Sequence, residues 1–297
     1  MPSRFILITA PAKINLYLGV HPDRDEAGYH RVDTVMTTVD LADTLAIAPA
    51  DELTVRTVPE ADFPMEHNTA YKAAVAMGRA FDREPAFSIL IDKHIPIRAG
   101  LGGPSTDAAA TIMGLCHFWG IDPMDPRVDE VARSIGADVP FFLYGPPAFL
   151  SGRGDVMEEM FRPLTGMPVA LVKPMTGGVS AADAYRRFDE RPSEPDPVAP
   201  MLQAMRDHRE PDILAHVHNN LGPAACELMP EITTVLEWIR QQPDVRVADV
   251  SGSGSCVFAV CTTQMAAERI ALAAMNERGW WGQAAKMEKS GPYIAVG

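Results

Sequence analysis

Residues 96–107 read Pro96-Ile97-Arg98-Ala99-Gly100-Leu101-Gly102-Gly103-Pro104-Ser105-Thr106-Asp107, and an alanine run follows. Glycines let a backbone approach a ligand closely, and the helix expected next offers free N–H groups at the positive end of its dipole. That combination cradles phosphate. The hydroxyl of Ser105 or Thr106 could donate to phosphate or hold Mg²⁺. The segment is not a Walker A loop, because no Gly-Lys-Ser/Thr follows, nor is it Gly-x-Gly-x-x-Gly after a first strand. A plainer reading is a capped helix, with Ser105 or Thr106 as N-cap and Asp107 favoured by the dipole.

Three further segments carry polar groups in apolar surroundings. Lys13 and Asn15 lie two apart in Ala10-Pro11-Ala12-Lys13-Ile14-Asn15-Leu16. On a strand that spacing puts both on one face. A lysine there is either an edge-strand gatekeeper or a functional cation, since its charge is costly to bury alone. Asp138, in Gly136-Ala137-Asp138-Val139-Pro140-Phe141-Phe142, is either a helix cap or a functional acid or base. Gly252-Ser253-Gly254-Ser255-Cys256 is either a flexible hairpin turn or a backbone that packs against the phosphate loop and closes a pocket.

The elements that must position these groups are legible from periodicity. Short β runs are predicted at 5–8, 14–20, 32–39, 43–50 and 52–58. Asn68 opens a helix with Ala70, Ala73, Ala74 and Met77 on one face. A strand at 87–91 leads through the glycine loop into a helix over 105–118. Strands follow at 148–154 and 168–172, and a helix at 181–188. Residues 190–200 hold four prolines and three acids, which marks an exposed loop. A helix at 231–241, a hairpin of 245–250 with 256–261, a helix at 264–276 and a strand near Lys286 complete the chain. Strands and helices mix without strict alternation, so the predicted class is α+β.

Composition excludes several roles. With 26 Lys and Arg against 39 Asp and Glu, the net charge is −13, so nucleic acid and anionic membranes should be repelled. An anionic ligand would need a local positive site from helix N-termini, single cations or a metal. No run suits a membrane helix: the best candidate, 139–152, contains three prolines and two glycines. The apolar start, 5–10, is too short for a signal peptide. Cys116, Cys226, Cys256 and Cys261 are scattered, which suits reduced thiols in the cytoplasm. Neither they nor the eight histidines show ligand spacing, so no protein-coordinated transition metal is expected.

Taken together, the four segments resemble one superfamily. Pro-x-x-x-Gly-Leu-Gly-Gly-x-Ser is similar to the phosphate-binding motif of the GHMP kinases (galactokinase, homoserine, mevalonate and phosphomevalonate kinases). Pro11-Ala12-Lys13-Ile14-Asn15-Leu16 and Ser251-Gly252-Ser253-Gly254-Ser255 resemble its first and third motifs, in the same order. Within it, Ala27-Gly28-Tyr29-His30 with Thr34, Asp43-Thr44-Leu45 and the Asp138 segment resemble the 4-diphosphocytidyl-2-C-methyl-D-erythritol kinases; Asn219-Asn220-Leu221 adds weaker support. The resemblance spans almost the whole chain.

It implies a two-lobe fold, with a nucleotide-binding lobe over 1–152, a substrate-binding lobe over 153–297 and the active site between them. It implies ATP-dependent phosphorylation of the substrate's 2-hydroxyl, with Mg²⁺, in the non-mevalonate isoprenoid pathway. Asp138 would accept or orient the hydroxyl proton. Lys13 would hold Asp138 ionised and offset charge on the transferred phosphoryl. Asn15 would orient the substrate. The loop from Pro96 and Ala99 through Gly100, Leu101, Gly102 and Gly103 to Ser105 and Thr106 would cradle the ATP phosphates. Tyr29 and His30 would recognise the cytidine end, and Tyr185 would stack on cytosine. Arg98 and Lys93 are further cations for the nucleotide. The sequence departs from the family's usual Gly-Gly-Gly-Ser-Ser-Asp at Pro104, which lacks an N–H, and at Thr106. An early helix position would make the lost donor harmless. Competing readings are a mevalonate-type or homoserine-type kinase, which has no cytosine to read, and a catalytically silent nucleotide-binding regulator. The expected assembly is a monomer or weak homodimer.

Overall fold

A computed structural model describes residues 5–145, 147–175 and 177–295. Its elements are numbered in chain order. The first sheet contains β1 (Ile6–Arg24), β2 (His30–Pro49), β3 (Thr54–Val58), β4 (Phe87–Asp92), β5 (Ala148–Ser151) and β6 (Val156–Met160). The short β8 (His218–Asn219) and β12 (Tyr293–Ala295) join it from the far end of the chain. The second sheet is antiparallel, in the order β11 (Trp281–Lys286), β7 (Pro168–Lys173), β10 (Val257–Cys261), β9 (Val245–Val250).

The long β1–β2 hairpin frames the site. Its register shifts between Pro11 and Ala12, and again between Asn15 and Tyr17. Proline cannot donate to a ladder, and a bulge is where a strand tolerates one. The runs predicted at 5–8 and 14–20 are therefore one strand. Those at 32–39 and 43–50 are also one, because Asp40 and Leu41 are the extra residues opposite the Pro11 bulge. Bulges on both sides of residues 13–15 aim that stretch independently of the rest of β1.

Helices α1 (Thr69–Phe81), α2 (Gly103–Trp119), α3 (Pro126–Ile135) and α4 (Val139–Tyr144) pack on the first sheet. Asn68 caps α1 by accepting from the Ala70 N–H (2.9 Å), and the predicted Ala70–Met77 face is buried. Their core joins Ile8, Leu45 and Ile89 to Ala109, Leu115 and Phe141. The remaining helices are α5 (Ala181–Glu190), α6 (Ala199–Arg206), α7 (Glu210–Ala215), α8 (Gly222–Leu228), α9 (Glu231–Arg240) and α10 (Gln264–Arg278). Val169 to Val172 is buried at every position because apolar clusters cover both faces of the second sheet. One of these clusters joins Ile14 and Leu16 of β1 to Leu171 and Phe258, so the two sheets are tied through apolar contact behind Lys13. The α+β class holds. No helix among the described residues is long and apolar enough to cross a membrane.

Candidate active site

Lys13 is 4 % exposed, on a stretch of β1 that has β2 on one side and the glycine loop, in place of a strand, on the other. The gatekeeper reading fails because β2 pairs with it on one side and the glycine loop bonds it on the other. Its N–H donates to the Leu101 carbonyl (2.9 Å), and its Nζ to Asn15 Oδ1 (2.6 Å). Asn15 Nδ2 donates to Thr34 Oγ1 (2.9 Å), which donates to the Tyr17 carbonyl (2.8 Å). This chain of bonds fixes the amide orientation, and the amide fixes the ammonium.

The glycine loop ends at Gly102, which has φ +75° and occupies the N-cap of α2 without a side-chain cap bond. Neither Ser105 nor Thr106 is the N-cap, so the capped-helix alternative does not hold. Pro104 lies in the first turn, where an N–H has no intrahelical partner. Gly100 has φ +73°, and a Cβ there would overlap the Ser251 carbonyl oxygen. The segment 251–256 is packed onto this loop. Ser251 Oγ donates to the Gly100 carbonyl (3.0 Å), Ser255 N–H to Arg98 (3.2 Å) and Cys256 N–H to Ala99 (3.0 Å). Asn219 holds its other side, donating to the carbonyls of Val250 and Gly252 (2.8 Å each). The loop and the 252–256 turn therefore form one double-layered backbone cradle. Gly100→Ala adds a left-handed non-glycine residue and a backbone overlap. We expect it to cost about 3 kcal/mol or more in urea unfolding.

Asp138 stands at the N-cap position of α4 but makes no cap bond. Its Oδ2 lies 3.5 Å from Lys13 Nζ, and it is 32 % exposed. The carboxylate is thus free to meet a ligand. Lys13, Asn15, Gly100, Gly102, Ser105, Asp138, Tyr185 and Gly252 line one cavity of about 260 Å³.

A neighbouring cavity of about 480 Å³ is lined by Tyr29, His30, Tyr185 and the cations Arg24, Arg133 and Arg153. The two share Val32, Ala137, Arg153 and Tyr185. Tyr185 stacks on His30 with centroids 5.9 Å apart and an interplanar angle of 16°. Burial raises the Tyr185 phenol pKa above its ordinary value, and the Asp138 carboxylate raises it further. Arg153 reaches over the Tyr29 ring (4.7 Å) while bonding the buried Asp155 (3.2 Å). Each of the three arginines is paired with a carboxylate: Arg24 with Asp189, Arg133 with Asp129 and Arg153 with Asp155, which also lines the cavity.

Lys93 is held away from the cavity. Its Nζ donates to Asp43 and to Asp107 (2.6 Å), under the first turn of α2. Asp43 also accepts from the His94 and Ile95 N–H groups (2.6 and 2.8 Å). Burial pushes the Asp107 carboxyl up, against the pull of Lys93. The Lys93 ammonium is raised: burial opposes its charge, and Asp107 and Asp43 together outweigh burial. This triad anchors the start of α2.

The structure thus gathers Lys13, Asn15, Gly100, Gly102, Ser105, Asp138 and Tyr185 in one cavity, with Tyr29 and His30 in the next. Ala99, Leu101 and Thr106 are buried beneath the loop, at 2 %, 1 % and 0 % exposure, and Pro96 and Gly103 do not line the cavity. Of the two hydroxyls only Ser105 reaches it. Arg153 and Asn219 had no assigned role at the sequence level. Arg153 is a single residue in a turn, and no motif marks it.

Residues 68–146 match the GHMP kinases N terminal domain and residues 201–279 the GHMP kinases C terminal domain. A 4-diphosphocytidyl-2-C-methyl-D-erythritol kinase of Exiguobacterium sibiricum is 36 % identical over 267 residues, which cover 89 % of this chain and 92 % of that one. One from Bacillus pumilus is 36 % identical over 270 residues, 89 % of this chain and 91 % of that protein. A crystal structure of 4-(cytidine 5'-diphospho)-2C-methyl-D-erythritol kinase superposes with TM-score 0.78 at 32 % identity, covering 96 % of this chain and 100 % of the other. Homoserine kinase from Cytophaga hutchinsonii, at 18 % identity and TM-score 0.70 over 99 % of this chain and 98 % of its own, shares the fold. This chain belongs to the GHMP kinases and, among them, to the 4-diphosphocytidyl-2-C-methyl-D-erythritol kinase family.

Proposed function

We propose that this protein transfers the γ-phosphoryl group of ATP to the 2-hydroxyl of 4-diphosphocytidyl-2-C-methyl-D-erythritol. The observation that carries this reading is the continuity of two cavities. One holds Lys13, Asp138 and the glycine cradle; the other holds aromatic rings and arginines; Arg153 and Tyr185 belong to both. An acceptor with a small polyol at one end and a base at the other, joined by a diphosphate, fills both.

Each residue has a physical task. Asp138 accepts or orients the proton of the attacking hydroxyl. Lys13, fixed by Asn15, places positive charge where the phosphoryl group passes. Gly100, Gly102 and Gly252 are held to glycine because side chains there would strike Ser251, Phe142 or Lys13, and their bare backbone is the surface offered to phosphate. Ala99, Leu101, Gly103 and Thr106 act through backbone in this reading, with Pro96 setting the loop's entry. Mg²⁺ carried with a nucleotide needs few protein ligands, and Ser105 is the hydroxyl presented to it. When bound, that ion neutralises charge on the β- and γ-phosphates. A separate cavity beside the start of α1, lined by Val58, Phe63, Met65 and Asn68, is the place for the nucleoside of ATP. It abuts the phosphate helix, since Thr69 Oγ1 donates to the Pro104 carbonyl (2.6 Å).

The nucleotide site falls mainly to residues 1–152, and residues 153–297 close it and bring Tyr185 to the acceptor. The expected assembly is a monomer or weak homodimer. The four cysteines are free, the state that a reducing cytoplasm maintains.

The test is a comparison of kcat/KM for the cytidyl acceptor, mevalonate and homoserine under saturating ATP and Mg²⁺. Turnover of the cytidyl acceptor alone is expected. Preference for either small acceptor would overturn the assignment, because it leaves the aromatic cavity without a role. Within the proposed site, Arg153→Ala is expected to raise KM for the cytidyl acceptor about tenfold and leave KM for ATP unchanged in steady-state kinetics.

A further inference from the structure

We infer that Asp189 is a positioning residue for the acceptor: it clasps α5 to the β1–β2 turn and so assembles the aromatic cavity. This rests on the reading of that cavity as the acceptor's base site. Tyr185 and Asp189 are four residues apart on α5, one turn along the same face. Asp189 Oδ1 accepts from His30 Nε2 (2.9 Å), and its Oδ2 accepts from Arg24. Arg24 in turn donates to the Gly28 carbonyl (2.8 Å), which holds the turn that carries Tyr29. His30 Nδ1 faces the His21 carbonyl (2.7 Å), so both ring nitrogens are occupied by protein oxygens. The ring is therefore left to offer its face, which lies against Tyr185, while Phe188 meets its edge (5.6 Å, 90°). One carboxylate thus sets the mutual placement of Tyr29, His30 and Tyr185, which come from distant parts of the chain.

Burial decides which bond of the clasp matters. The His30 side chain is 5 % exposed, whereas Arg24 is 46 % exposed. A bond to a buried partner is worth several exposed ones. The other tie on this helix, Arg187 to Glu227 of α8, is open to solvent on both sides (33 % and 40 %). It anchors α5 to its own neighbours and does not reach the turn at residue 28. Asp189 itself does not line either cavity and lies outside the Lys13–Asp138 centre.

The experiment uses Asp189→Asn and Asp189→Glu in the full chain, with steady-state kinetics and backbone hydrogen exchange. Asp189→Asn keeps one acceptor oxygen and turns an amide N–H toward the other donor, so the two bonds cannot both form. It is expected to raise KM for the cytidyl acceptor about tenfold, with kcat and KM for ATP within about twofold of wild type. Exchange of residues 181–190 should quicken, and Asp189→Glu should recover part of both effects. Unchanged KM for the acceptor, or a loss spread equally over kcat and KM for ATP, would overturn the inference. If the wild-type protein does not turn over the cytidyl acceptor, the functional reading fails on its own. The exchange result then still decides the clasp: quickened exchange upholds it, and unchanged exchange over 181–190 removes it.

Discussion

Asp138→Asn is expected to lower kcat by about 10³-fold while leaving KM for ATP close to wild type. The substitution keeps the shape of the side chain and removes its capacity to take a proton. General-base assistance is worth about 10² to 10⁴ in rate. The carboxylate makes no cap bond to α4, and its ion pair, with Lys13 at 3.5 Å, is partly replaced by the hydrogen bond from Lys13 Nζ to Asn15. Stability should fall modestly, because the buried Lys13 loses its counter-charge but keeps Asn15, and the larger loss should fall on chemistry. The size of the loss is informative. Phosphoryl transfer proceeds through a loose transition state, in which an orienting group contributes less than a base. A fall of about 10³ or more marks Asp138 as the base; a fall near tenfold marks it as an orienting group. Single-turnover rates, which exclude product release, are the measurement that separates these outcomes.

Lys93→Met is expected to destabilise the protein by about 3–5 kcal/mol, the cost of leaving buried carboxylates without their cation. Asp43 is fully buried and Asp107 is 3 % exposed, and both depend on this one ammonium. The effect should reach the nucleotide too, since the Lys93 Nζ would lie 3.5 Å from a Cβ placed on Gly103, the first residue of α2. Adding Asp107→Asn to Lys93→Met should recover part of the stability by removing one of the two stranded charges. On its own, Asp107→Asn tests the sign of the pH effect. Burial raises the Asp107 carboxyl pKa in the folded state, so its contribution is fully present in acid. That contribution is lost as pH rises from the usual carboxylate range toward neutrality. Asp107→Asn should flatten that decline. Urea unfolding at several pH values measures all three variants.

The chemistry of the site was more legible in the sequence than its scaffold. Lys13, Asn15, Asp138 and the glycine loop stand out because each puts a polar or conformationally special residue in an apolar run. Their convergence was not legible from spacing, because it depends on pairings between distant segments. Lys13, on its own segment, read as an edge residue, and it is β2 and the Leu101 carbonyl on either side of it that rule this out. Asp138 read as a cap because α4 does begin beside it; only the geometry shows that its side chain is free. The helices absent from the sequence reading were α3, α6, α7 and α8. Each carries proline in its first turn. A proline read as a breaker hides a helix that it in fact starts. Pro11 misled in the opposite sense, splitting β1 where a bulge absorbs it. Lys93 read as a free cation because its partners, Asp43 and Asp107, lie 50 and 14 residues away.

The central claim is that the group transferred reaches the hydroxyl held between Lys13 and Asp138. The most direct measurement is phosphorus NMR of the product formed from ATP and 4-diphosphocytidyl-2-C-methyl-D-erythritol by the wild-type protein. The expected spectrum keeps the diphosphate pair of the acceptor and adds one phosphomonoester signal. That signal should show no three-bond coupling to hydrogen, because the carbon bearing the 2-hydroxyl carries a methyl group and no hydrogen. A monoester signal coupled to hydrogen would place the phosphoryl group on another hydroxyl. Inorganic phosphate without a new ester would show that water takes its place, and either result would contradict the account.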